Sequence, residues 1–384
     1  MTPPLRLVFW ETTKACNLSC RHCRAVPQRS LGPRELNTRQ AFDLIDAVAA
    51  VARPVLVMSG GEPLFRPDLF DLAEYGVDSG FRMALATNGT LVNRRIAAKI
   101  ADAGFSRVAI SLDGANPETH DRFRGQPEAH ARAVAGIRAL RDEGVSVQIN
   151  STIAKHNVAE LPAMLDFALA LGADALHLFM LVPVGCGLEI APAEMLPPDE
   201  YERVLHWFDE QAKTCPIDLK ATCAPHYYRI RAQRLEFARK AGDLSESFIA
   251  PGTRAKAAPM LLRGGGHGQH LSAMTRGCLA GTAVCFISNE GEVYPCGYLP
   301  VSAGNTRAEP FREIWNRSPV FEALRNPGAL EGKCAACRFE SICGGCRARA
   351  YAATGSFLAE EPFCSYRPDS DPVGAREPRL EARG

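Results

Sequence analysis

From residue 7 onward the chain switches between two periodicities. Short β-rich runs fall at residues 7–10, 55–58, 83–86, 108–112, 145–150 and 176–181. Between them, apolar residues recur at helical spacing near 38–51, 67–78, 93–103, 129–143 and 157–171. Strands that alternate with helices build βαβ units and a parallel sheet. Thr38 is placed to N-cap the first helix, and Gly104, Gly144 and Gly172 follow later ones as stops. Six strands with crossover helices predict an α/β fold, either a partial (β/α)6 barrel or an open doubly wound sheet. Residues 197 to about 240 read as helical, with Pro197-Pro198 suiting the start. Residues 250–268 are rich in Gly, Pro and basic residues, and RGGGHG at 263–268 reads as a mobile or ligand-approach loop. After Cys278 short strands return at 285–288 and 292–295. The Pro-, Arg- and Glu-rich residues 369–384 are expected to be disordered. The predicted organisation is a core over 1–195, a helical bridge with a Gly-rich loop over 196–275, a Cys-rich unit over 276–368 and the tail.

Composition adds one anomaly to an ordinary globular chain. The 384 residues are 46% hydrophobic and 23% charged, which suits two to three domains with a sizeable core. Against 43 Asp+Glu stand 44 Lys+Arg, a formal charge of +1. That balance argues against a general nucleic-acid or polybasic membrane role. No apolar run approaches a membrane span, and no export signal opens the chain, so a cytoplasmic protein is expected. The anomaly is 14 Cys. In a reducing compartment, clustered cysteines bind metal or do redox chemistry. Eleven fall into three groups: Cys16, Cys20 and Cys23; Cys278, Cys285 and Cys296; and Cys334, Cys337, Cys343, Cys346 and Cys364. Cys186, Cys215 and Cys223 stand apart and read as small buried hydrophobes.

Cys16-x3-Cys20-x2-Cys23 directly follows the first predicted strand. Three thiolates this close lack the fourth ligand of a tetrahedral zinc site, but they suit three irons of a [4Fe–4S] cube and leave the fourth iron open. A loop with three free cysteines is the other reading. The pattern resembles the radical S-adenosylmethionine (radical SAM) family, whose signature is CxxxCxΦC after strand one, with Φ usually aromatic. His22 holds Φ here, a departure from the commoner Tyr or Phe. The resemblance implies that the three cysteines hold the cluster that cleaves S-adenosylmethionine, with His22 near its adenine. Ser59-Gly60-Gly61-Glu62-Pro63 matches the family's GGEP motif, which receives the methionine amino group. Thr87-Asn88 ends the third strand, and Ser111-Leu112-Asp113-Gly114 ends the fourth and resembles the ribose-binding segment. Of Arg122 and Arg124, just beyond, Arg124 is the preferred partner of the methionine carboxylate. Asn150-Ser151 ends the fifth strand, and Val182-Pro183 follows the sixth, where backbone groups meet adenine. Barrel enzymes build their sites on that face.

The later spacing is Cys278-x6-Cys285-x10-Cys296, then Cys334-x2-Cys337-x5-Cys343-x2-Cys346-x17-Cys364. Eight thiolates suffice for two fully ligated [4Fe–4S] clusters, although paired C-x2-C units also suit a zinc ribbon. The segment resembles the SPASM extension of radical SAM enzymes, and the fold class implied is a partial (β/α)6 TIM barrel of the radical SAM type with a Cys-rich SPASM domain. By that resemblance Cys278, Cys285, Cys296 and Cys346 hold auxiliary cluster I, and Cys334, Cys337, Cys343 and Cys364 hold auxiliary cluster II. The last pair is one residue closer than in the family pattern, and Gly344-Gly345 between them can absorb the deletion.

Across residues 10–368, WETTKACNLSCRHCRA, ATCAPHYYRI, GCLAGTAVCFISNEGEVYPCGYLPVSAGN and CGGCRARAYAATGSFLAEEPFC look like the radical SAM enzymes of the alternative haem-synthesis group. The likeness is greatest to those that oxidatively decarboxylate two propionates of iron-coproporphyrin III to vinyls, giving haem b. Side-chain removal from didecarboxysirohaem, haem d1 synthesis and a peptide-modifying SPASM maturase are the alternatives. An iron macrocycle with carboxylates wants aromatic walls, Arg clamps and an axial imidazole. His226, Tyr227, Tyr228 and Arg229 offer all three, with His267 and His270 as further axial candidates and Arg347 and Arg349 after a cluster cysteine. The same stretch also reads as a helix with an ordinary basic face. The resemblance implies three [4Fe–4S] clusters, S-adenosylmethionine, an iron tetrapyrrole substrate, and a flavodoxin or ferredoxin as reductant.

Protein purified without oxygen should carry about twelve irons per chain with matching sulfide. Zinc in place of iron would end the enzyme reading.

Overall fold

Six strands lie side by side in chain order: β1 (Leu7–Glu11), β2 (Val55–Ser59), β3 (Arg82–Thr87), β4 (Arg107–Ser111), β5 (Val147–Ile153) and β6 (Ala175–Met180). Every pairing among them is parallel. The structure is a computed structural model that describes residues 2–240 and 277–368. His267, His270, the Gly-rich loop and the tail expected to be disordered lie outside the described residues. A doubly wound sheet would reverse its strand order at a switch point. This order never reverses, so the partial barrel holds.

Side chains alternate as the pleat requires. In β5, burial changes at every residue. Val147, Ile149 and Ile153 join one core with Ile137, Leu140 and Leu165 from the helices. Each fully buried aliphatic side chain contributes roughly 1.5–3 kcal/mol. The opposite face carries Ala84, Ala86, Ala109, Ser111, Gln148 and Asn150, all half-buried. Small and polar residues there leave room inside the barrel.

Three local expectations change. The first helix, Thr38–Ala49, is capped by Asn37 and not by Thr38. The Asn37 side chain accepts from Gln40 N at 3.0 Å, and Gln40 Oε1 accepts from Asn37 N at 3.1 Å. A helix the periodicity did not reveal, Pro117–Arg124, starts at an Asn116 cap and ends at left-handed Gly125. Eight mostly polar residues carry too little apolar signal to be seen. Within the stretch read as helical, β7 (Asp218–Thr222) pairs in parallel with β6. Only Leu219 and Ala221 of its five residues are buried.

On its other edge β1 pairs in parallel with β8 (Val284–Ile287), with Val8 opposite Cys285. β9 (Glu292–Tyr294) and β10 (Gly304–Asn305) add antiparallel strands. The Cys-rich unit therefore continues the sheet of the core as one ten-stranded surface. Among the described residues, no helix is long and apolar enough to cross a membrane.

Asn37→Ala removes the side-chain acceptor of Gln40 N and leaves the other half, Gln40 Oε1 accepting from the backbone N–H of residue 37. It should lower the unfolding free energy by about 1 kcal/mol, read as a lower urea midpoint at unchanged slope.

Candidate active site

The chain leaves β1 at Glu11 and enters the first cysteine loop. Cys16 Sγ accepts from Leu18 N at 3.4 Å and lies 3.9 Å from the Asn88 amide. Cys20 Sγ is 3.7 Å from Arg124 Nη1, and Cys23 N donates to Cys20 O at 3.2 Å. Burial pushes Cys16 and Cys23 up to about 11, and the Cys20 charge adds to both shifts. Free thiolates are therefore disfavoured here, and a bound cation is what makes them stable. Among the described residues, no three His, Cys, Asp or Glu side chains converge as ligands of a single metal ion. A four-iron cube spreads its thiolates over separate corners, so a wider triangle of thiols is what it needs.

Backbone contact holds the loop in place. Gly61 N donates to Thr13 O and Glu62 N to Ala15 O, both at 2.7 Å. A Cβ on Gly60 would lie 2.6 Å from Thr13 O, and one on Gly61 would press into the Ala15 carbonyl. The paired glycines are thus required by close approach. Glu62 is fully buried. It accepts from Thr87 Oγ1 at 2.7 Å, Asn88 N at 2.8 Å and Leu64 N at 3.2 Å. Burial raises its carboxyl to about 7, against those three hydrogen bonds. Pro63 follows in a 3-10 turn.

At the end of β4, Asp113 is enclosed. Its Oδ1 accepts from Thr152 N at 2.7 Å, and its Oδ2 lies 2.6 Å from Arg124 Nε and 3.7 Å from His22 Nε2. Burial pushes Asp113 up, but Arg124, His22, His120 and the Thr152 hydrogen bond together outweigh it and hold the carboxyl below its usual range. His22 is driven down to about 3, chiefly by burial, so its imidazole is neutral. That ring stacks on Phe123 at 3.9 Å, and Phe123 meets His156 at 4.0 Å. The unforeseen helix Pro117–Arg124 thus delivers Phe123 and Arg124 to the loop. Ser111 faces Asn150 across β4 and β5, and Asn150 accepts from Gln148 at 2.7 Å. Ser151 does not turn toward that inner face: its buried hydroxyl donates to Leu112 O at 2.5 Å. The Val182 side chain packs with Leu299, Cys346 and Ala348, joining barrel to extension.

Cys334, Cys337, Cys343 and Cys364 line one pocket, shared with His226 and Arg229. Four thiols around one cavity fit a cluster. His226 lies at its wall, fully buried, with both ring nitrogens lacking a partner. Burial drives it down to about 3. The side chains of the macrocycle-binding expectation in this stretch are buried in the structure. Tyr227 and Tyr228 are enclosed in the main core and offer no face to a flat ligand. Arg229 is held bidentately by Glu202 at 2.6 and 2.5 Å. Arg347 is buried too, donating to Phe357 O and Ala359 O and lying 3.7 Å from Cys334 Sγ. Arg349 pairs with Glu361 at 3.0 and 3.2 Å. These residues brace the cysteine sites.

Cys278, Cys296 and Cys346 act on one another electrostatically, and Cys278 N donates to Cys343 O at 3.0 Å. Cys285 is not with them. It is fully buried on β8 inside the main hydrophobic core. Beside Cys296 and Cys346 stands Cys223 instead, a residue with no motif around it to mark it.

Two further residues carried no signal. His177 on β6 and Lys220 on β7 are opposite each other, and His177 is opposite Asn150. They extend the Ser111–Asn150 row along the inner face. Burial alone pulls the Lys220 amine down to about 8. It also holds His177 well below its usual range, helped by Lys220 and Arg107.

The chain matches the model of the radical SAM superfamily over residues 10–168 and that of SPASM, an iron–sulfur cluster-binding domain, over 278–338. It is 49% identical over 369 residues to the AdoMet-dependent heme synthase of Methanosarcina barkeri, covering 96% of this chain and 98% of the relative. It is 30% identical over 381 residues to the Fe-coproporphyrin III synthase of the same organism, covering 93% and 87%. In fold it is similar to SuiB of Streptococcus suis bound to S-adenosylmethionine, with TM-score 0.70 and 16% identity over 95% of this chain and 78% of that one.

Glu62 generates a pH prediction for the apo protein. Its raised carboxyl means that the protonated form suits the fold better, so its contribution is full below about 4.5 and is lost as pH rises through about 7. The stability of the native chain minus that of Glu62→Gln should fall over this window, by at most about 1.4 kcal/mol per pH unit. Urea unfolding at intervals from pH 5 to 8 measures it, and a flat difference contradicts the burial argument.

Proposed function

The chain belongs to the radical SAM superfamily with a SPASM extension, among its haem-synthesis enzymes, and from that premise we propose that it oxidatively decarboxylates two propionates of iron-coproporphyrin III to vinyls, giving haem b. The observation that carries this reading is identity. The chain shares 49% with a relative named for haem synthesis and 30% with the one named for making iron-coproporphyrin III, each over nearly its whole length. The inner face adds chemical support. Lys220, whose amine meets no opposing charge among the described residues, and His177 suit a ligand that brings carboxylates of its own.

In this reading Cys16, Cys20 and Cys23 hold the first of three [4Fe–4S] clusters. Cys334, Cys337, Cys343 and Cys364 hold another, and Cys278, Cys296 and Cys346 contribute to the third. When bound, the clusters and S-adenosylmethionine supply a hydrogen-abstracting carbon radical and an acceptor for the electron that leaves the substrate. Each propionate gives up a hydrogen atom from the carbon beside the macrocycle, then carbon dioxide and one electron, and a vinyl remains. The protein's part is to bind, orient and exclude water. Gly60, Gly61 and Glu62 shape the turn that receives the methionine amino group. Arg124, aligned by Asp113, faces the methionine carboxylate, and neutral His22 offers a stacking ring for adenine. Ser111 and Asn150 mark the ribose level, in one row with His177 on the next strand. A small flavodoxin or ferredoxin in the cytoplasm would deliver the reducing electron.

Incubation without oxygen with iron-coproporphyrin III, reductant and S-adenosylmethionine should give stepwise loss of two carboxyl groups by mass spectrometry. Cys16→Ala should abolish both that loss and cleavage of S-adenosylmethionine. Turnover of didecarboxysirohaem instead would select the sister activity, and inertness toward both macrocycles would remove the tetrapyrrole assignment.

A further inference from the structure

We infer that Cys223 supplies the fourth thiolate of the site formed by Cys278, Cys296 and Cys346, and that Cys285 is a core residue. The inference rests on the reading that this site holds a four-iron cluster.

Cys285 faces the wrong way. It sits on β8 opposite Val8, and with Ile287 it joins the main hydrophobic core. The neighbour Phe286 points to the other side, where it stacks under the Arg24 guanidinium at 4.2 Å and touches Gly297, next to Cys296. Only a one-residue shift of β8 would turn Cys285 toward that side, and it would expel Ile287 from the core at the same time. Among the described residues, Arg325 is the charged group that acts on the Cys285 thiol.

Cys223 is placed where the fourth ligand is needed. It follows β7 at the strand's C-terminal end and packs with Cys296 against Cys346, Val182 and Leu299. Its backbone is left-handed, φ 55°. Glu128 is the other non-glycine residue with positive φ among those described. That conformation is unfavourable for a residue with a Cβ and persists only where the surroundings impose it. Here Tyr201 Oη donates to Cys223 O at 2.9 Å, while the Tyr201 ring lies 5.0 Å under Arg349, three residues after Cys346. The turn is thus anchored to the extension it faces.

The surface of these thiols points the same way. Desolvation dominates at Cys223 and Cys296, yet each keeps part of its surface open. Four thiolates would saturate the cluster and leave no iron free for substrate. The site would then carry electrons and would also tie β7 to the extension.

The test uses full-length protein, purified without oxygen, in which Cys16, Cys20 and Cys23 are all changed to Ala so that only auxiliary signals remain. This parent should hold about eight irons per chain. Cys223→Ala should lose up to about four of them or change the electron paramagnetic resonance spectrum of one cluster. Cys223→Ser, which keeps the volume and offers oxygen, should shift that spectrum with the circular dichroism unchanged. Cys285→Ala should keep the parental iron and spectrum. Cys223 variants indistinguishable from the parent, or iron loss in Cys285→Ala with none in Cys223→Ala, overturns the inference. A folded parent holding about four irons or fewer would overturn the cluster reading before any change at Cys223.

Discussion

Strand β1 is hydrogen-bonded on both edges, to β2 on one side and to β8 on the other. The first cysteine loop leaves the end of this doubly held strand. One wall of its surroundings therefore comes from the barrel and the other from the extension. Side chains repeat the link. Arg24 joins Glu11 of β1 at 2.9 Å and covers Phe286 of β8. Glu35 accepts from Thr13 and Lys14 in the loop and from Asn289 beyond β8. Loosening either half would reach the loop directly, because both halves pair with β1.

Around that strand the chain keeps its charges in local pairs. Asp113 with Arg124, Glu361 with Arg349 and Glu202 with Arg229 are all largely buried. Burial lifts Glu361, but Arg349 and His226 outweigh it and hold the carboxyl below its usual range. Breaking such a pair leaves an uncompensated buried charge, at a cost of about 3–5 kcal/mol. Each pair sits against a cysteine site and orients the backbone around it: Glu361 also accepts from Cys346 N at 2.7 Å. A net charge of +1 is thus compatible with strongly charged surroundings at each site. The inner-face amine of Lys220 is the departure, desolvated without an opposing charge among the described residues.

The βαβ rhythm was legible because each strand alternates its burial and each helix carries an apolar stripe. All six strands of the partial barrel lie within a few residues of where the pattern put them. β7 and the helix Pro117–Arg124 escaped notice because five and eight residues, mostly polar, give periodicity too little to work on. The stretch His226–Arg229 stayed ambiguous for a different reason. Aromatic and basic residues in a row suit a ligand or a core equally, and only burial separates the two.

The sequence by itself determined the local chemistry: three thiols after the first strand, two glycines where backbones touch, and eight cysteines in spaced groups. Those depend on neighbours along the chain. Tertiary structure alone decided which distant groups meet. It put Cys285 inside the core and Cys223 beside Cys296 and Cys346. The reason is the two-residue period of a strand. The face a side chain takes is set by register with β1, and no spacing between cysteines encodes that register.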